Sequence, residues 1–166
     1  MASDEHAEHQ RIAYDFTALV EHRLYALARA AAGISTLQVP SYVGVAQDLW
    51  ILGVVMSALF QQRPHPDSLR SALQLDWNGN CALASRMEYA YAHAHALWDQ
   101  AAATRLDFTW DFTFAAGELL DTSRQEPWPS RPADLPAQFL VAPAYLVENR
   151  VYARQRLCTG ATFGRL

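Results

Sequence analysis

Residues 108–114 read Phe108-Thr109-Trp110-Asp111-Phe112-Thr113-Phe114, and how they fold decides the fold class. Apolar and polar side chains alternate, with the aromatic and Thr content of a half-buried strand. The same stretch also fits a helix, because Phe108, Phe112, Ala115 and Leu119 share a helical face and Asp107 can stand as the N-cap. A strand needs a partner, and no second stretch of comparable alternation is present. Since a lone strand is not stable, helix is the expectation over 106–120, and with it an all-α chain.

Upstream, Ile12, Phe16, Leu19, Val20, Leu24 and Leu27 recur at steps of three and four, which predicts a helix over 5–32 with Asp4 as its cap and Gly33 at its end. After a loop through Pro40, residues 42–62 are expected to form a second helix. Its second half is apolar on nearly every side, as in a helix at the centre of a bundle. Pro64 and Pro66 stop it. A short helix over 67–75 follows, then a turn at Trp77-Asn78-Gly79-Asn80 whose last residue caps a helix over 81–105.

Downstream, the run from Glu126 to Pro136 holds four of the eight prolines and reads as an extended strap. Pro143 suits the first position of a C-terminal helix over 143–157. The predicted architecture is a single domain over residues 1–166: a compact bundle of four to five helices, with the Pro-rich strap laid before the C-terminal helix.

Composition narrows the partners. The chain has 166 residues, of which 51% are hydrophobic and 18% charged, enough apolar material for a core. All 13 basic residues are Arg, a bias expected of a GC-rich genome, and the net charge is -4. A nucleic-acid partner would therefore need a local Arg patch. The acidic start MASDEHAEHQ is unlike a secretory signal, and the longest apolar run is too short for a bilayer, so a cytoplasmic protein without a membrane partner is expected. Cys81 and Cys158 make no disulfide framework and are expected to be packed thiols.

No metal or cofactor is expected. His93 and His95 point about 200° apart on a helix, and no Glu-x-x-His occurs. His6 and His9 with Glu5 lie near the start of the chain and read as a solvated face. Glu88, His95 and Asp99 share a face that reads as a water-facing stripe. No nucleophile elbow, dinucleotide fingerprint or phosphate loop is present.

Arg86-Met-Glu-Tyr-Ala-Tyr-Ala-His93 has the spacing Arg-x6-His and resembles, over eight residues, the Arg/His motif of the helical nucleases called HEPN domains. That family usually carries a small polar residue after the Arg, where this chain has Met87. The resemblance implies metal-independent RNA cleavage across a dimer, with Arg86 holding phosphate and His93 moving a proton.

Arg150, Arg154, Arg156 and Arg165 gather toward the C-terminus against Glu148 alone. Trp and Arg are enriched at binding hot spots. The leading expectation is therefore an accessory or adaptor protein of a bacterial complex, binding another protein through Trp128, Arg150 and Arg154. The alternatives are the ribonuclease using Arg86 and His93, with a homodimer as its assembly, and a helical bundle that binds a small molecule in an aromatic-lined cavity.

Overall fold

Ile12, Phe16, Leu19, Val20, Leu24 and Leu27 are all buried on one side of a long N-terminal helix in the computed structural model, which describes residues 2–75 and 80–161. This helix consists of α1 (Ala2–Ala18), a π turn (Leu19–Leu24) and α2 (Tyr25–Ala32). Asp4 lies inside its first turn instead of capping it. Gly33 ends it with an ordinary φ of −76°.

The second helix is shorter than the expected span over 42–62. A 3₁₀ turn (Ser41–Val43) precedes α3 (Gln47–Phe60). Leu49, Ile51, Leu52, Val55, Met56, Leu59 and Phe60 are buried, and α3 packs on α2, α4 and a strand. The short helix is α4 (Ser68–Leu73), closed by Gln74 in the left-handed region at φ 45°. The expected turn at 77–79 lies outside the described residues. Asn80 does cap α5 (Cys81–Ala103), its side-chain oxygen accepting from the Leu83 amide at 3.1 Å.

The all-α bundle of four to five helices is overturned beyond residue 103, where the chain turns to strands. Phe108–Asp111 is strand β1, not helix. Its partner is β4 (Ala144–Val147), within the segment expected to be the C-terminal helix over 143–157. That helix is instead a long hairpin: β3 (Ala137–Ala142) and β4 run out, and β5 (Arg150–Ala153) and β6 (Gln155–Thr159) return. Glu148 and Asn149 join the two legs, both with positive φ (48° and 64°), as the primed two-residue turn of a hairpin requires.

The hairpin bends at Pro143 and Arg154, so its two halves belong to different three-stranded sheets. Near the turn the order is β1-β4-β5, all antiparallel. Beyond the bend it is β2-β6-β3, with β2 (Gln125–Pro127) parallel to β6. The start of the Pro-rich strap is therefore an edge strand, where proline is tolerated.

All four residues of β4 are buried, so the strand has no polar face and shows no alternation. A buried apolar run of that length reads equally as helix, and this is why the hairpin was hidden in the sequence. Trp110 of β1 packs against Trp98, Tyr145 and Phe60 at centroid distances of 4.7, 4.9 and 5.1 Å, joining α5, α3 and the hairpin into one core.

Candidate functional site

A helix as apolar as α3 needs cover on every side, yet one stripe of it stays partly open. Trp50, Gly53, Val54, Ser57 and Ala58 fall at steps of three and four along one face, and all five are only half-buried. They form one wall of a groove of about 690 Å³ whose other wall is β3 with the 112–116 segment. Gly53 sets its width at one point. A Cβ there would come within 2.6 Å of the Leu140 carbonyl oxygen, so only glycine lets β3 lie this close to the helix.

Aromatic edges rim this groove. Trp50 stands edge-on to Phe139, 5.3 Å between centroids, and Tyr42 stands edge-on to Trp50 at 6.2 Å. Phe114 closes another side. Past Ser57, Ala58, Gln61 and Ala72, which belong to both, the groove opens into a second hollow of about 690 Å³. There Gln62, His65, Asp67, Ser68 and Ser71 offer hydrogen-bonding groups. The arrangement suits a ligand with a flat apolar body and a hydrogen-bonding end.

The residues singled out from the sequence lie elsewhere. Arg86 and His93 sit two turns apart on the exposed face of α5. The Arg86 guanidinium donates to the Ala26 carbonyl at 3.3 Å, and His93 Nδ1 lies 2.9 Å from the Tyr89 carbonyl with its ring stacked on Tyr89 at 3.7 Å. The arginine that meets Tyr89 is Arg23, 5.1 Å over the ring.

Trp128 is only 5% exposed, so its ring is not offered to a partner. It packs on Tyr25 at 5.2 Å and beneath the Arg156 guanidinium at 5.7 Å. Arg156 is itself neutralised, by Glu126 at 2.9 Å and by Glu21 at 2.6 Å, the latter an ion pair without hydrogen-bond alignment. Arg150 and Arg154 are exposed, at the start of β5 and at the hairpin bend.

The histidines divide sharply. His95 pairs with Asp99 at 3.1 Å, and Asp99 also meets Arg63. His6 and His9, read as solvated, are the two that reach inward: His6 meets the Tyr152 hydroxyl and His9 the Tyr145 hydroxyl at 2.6 Å. Cys158 is buried, and burial pushes its thiol up. Cys81, expected to be packed, is exposed at the start of α5, and no disulfide joins the two.

Sequence reasoning missed Tyr42, Trp50, Phe114 and Phe139. The available signal was α3 itself, whose lack of a polar face implies either complete cover or a ligand-binding wall. Compared with protein-family models, curated proteins and solved structures, the chain matches none.

Proposed function

We propose that this protein is a small-molecule-binding protein whose ligand lies in the groove between α3 and β3. The observation that carries the reading is the uncovered apolar stripe of α3, rimmed by Trp50, Phe139, Tyr42 and Phe114. Small-molecule sites are concave, roughly 300–1,000 Å³ in volume, and mostly apolar with a few polar groups that orient the ligand. The groove has that size and, with its polar continuation, that distribution of chemistry. The ligand expected is amphiphilic: a ring system against Trp50 and Phe139, and a neutral or cationic hydrogen-bonding end beside Gln61, Ser71 and Asp67. An adaptor role through Trp128, Arg150 and Arg154 draws less support, because its aromatic anchor is buried against Tyr25.

The test is binding of the neutral fluorescent naphthalene dye N-phenyl-1-naphthylamine to the native protein, followed by displacement with a library of ring-bearing amphiphiles. Native protein should enhance the dye's emission, and a displacing compound held at 100 times its Kd should raise stability by about 2.7 kcal/mol. Val54→Arg, which puts a charged chain on the groove wall, should abolish both effects while leaving the circular dichroism spectrum unchanged. Undiminished dye binding by folded Val54→Arg would sink the proposal.

A further inference from the structure

A separate cleft, of about 490 Å³, lies between the N-terminal helix and α5 and shares no residue with the groove on α3. The two helices run antiparallel, since Arg86 meets Ala26 at one end and Thr104 meets His9 at the other. Asp15, Ala18, Leu19 and Arg23 line the cleft from the first helix, and Tyr89, Ala96 and Leu97 from the second. Its middle is apolar, with an acidic residue toward one end and a basic one toward the other.

Asp15 and Arg23 are eight residues apart, about 12 Å along the helix. Both are exposed, and neither makes an ion pair among the described residues. Arg23 is already held in place, its guanidinium 5.1 Å over the Tyr89 ring. Tyr89 itself is 40% exposed, and Tyr14, one turn before Ala18, is 76% exposed. A small ligand does not reach two charges so far apart while covering the rings beside them. Another pair of helices does.

We infer that the occupant is a second copy of this chain, packed face to face on the first through the N-terminal helix and α5. A two-fold contact uses the same patch on both copies, so that patch must complement itself. Leu19 lies midway between Asp15 and Arg23. A two-fold axis that crosses the helix at right angles there brings Asp15 of each copy opposite Arg23 of the other, and the pair forms twice. Carried across to α5, the same axis turns Tyr89 of each copy toward Ala96 and Leu97 of the other. An axis parallel to the helices would instead gather the basic ends of both copies together, and charge therefore selects the crossing axis. α5 has 23 residues, about 35 Å, so the helices extend past the cleft at both ends and four of them can pack as a bundle.

The experiment is sedimentation equilibrium of the full chain and its charge-reversal variants. The wild type should dimerise at micromolar concentration. Asp15→Arg and Arg23→Asp should each raise the dimer Kd at least about tenfold, because either one sets like charges against each other at both contacts. The double variant, which exchanges the two charges, should return to within about threefold of the wild type, as expected of residues that act as a pair. An equimolar mixture of the two single variants should form a heterodimer, since each supplies the charge that the other lacks. All variants are checked for the wild-type circular dichroism spectrum. Ala96→Glu, at an exposed position of α5, serves where a charge reversal does not fold and should also raise the Kd. A wild type still monomeric at about 100 μM, a Kd that neither reversal moves, or a double variant as weak as the single ones would each overturn the inference.

Discussion

Around His9 the placement of every proton follows from one carbonyl. Thr104 Oγ1 lies 2.8 Å from the Ala101 oxygen, which can only accept, so the hydroxyl spends its proton there. His9 Nε2, 2.8 Å from the same hydroxyl, must then donate to it, and His9 Nδ1 accepts from the Tyr145 hydroxyl. The imidazole is neutral and both of its nitrogens are satisfied. Burial first, and the nearby His6 second, hold its pKa below the ordinary value, with Glu8 and Glu5 pulling weakly the other way. The unfolded chain, with His near 6.5, therefore takes up the proton first as pH falls. The stabilisation is complete above about pH 6.5 and is lost as pH drops toward the lowered native value. Replacing His9 with Leu should cost about 1–3 kcal/mol at pH 8, because the buried Tyr145 hydroxyl loses its acceptor. In urea titrations the gap between wild type and His9→Leu should shrink from pH 8 to pH 5, and a constant gap would contradict the neutral assignment. None of this was legible beforehand: His6 and His9 sit near the start of the chain, and their partners lie 146 and 136 residues away.

At the scale of elements, legibility tracked polarity. The helices with a wet face, the N-terminal one and α5, were readable to within a few residues, since water marks one side and the core the other. The hairpin was not, because β4 is buried on both faces and its turn is Glu148-Asn149 where the strong signal would be Asn-Gly. Once that strand was lost, Phe108–Asp111 had nothing to pair with and its own alternation was overruled. A glycine inside an apolar helix marks a place where another backbone comes close, and at Gly53 that backbone is β3. Alanine at position 53 gains up to about 1 kcal/mol of helix propensity, while forcing a Cβ against a carbonyl oxygen costs typically 1–3 kcal/mol. The clash outweighs the gain because a strand held by β6 cannot step aside cheaply. Gly53→Ala should thus lower the denaturant midpoint, and Gly53→Leu should lower it further. Equal stability of Gly53→Ala and wild type would mean that β3 is free to move off α3.

Across the whole molecule, the first helix and the last hairpin hold each other. His6 and His9 reach Tyr152 and Tyr145, and Arg156 joins Glu21 of the π turn to Glu126 of β2. A chain closed in this way should unfold as one unit, with helix and tertiary packing lost together. Far- and near-ultraviolet circular dichroism should give coincident thermal transitions. Deleting residues 2–10 should move both down together, by more than the His9→Leu substitution does. Two separated transitions would show that the hairpin stands without the helix.

The mutual grip of α1 and the hairpin also has a history within each molecule's making. Ala32 leaves the ribosome 127 residues ahead of Thr159, an interval of roughly 6–25 s at 5–20 residues per second. For that time His6 and His9 have no Tyr152 or Tyr145 to meet, and Phe16, 2% exposed once folded, has no Trp110 beside it until β1 is made. The nascent N-terminal helix is a sticky, waiting surface. The demand on chaperones falls on this helix, and its duration is set by how late β5 and β6 arrive.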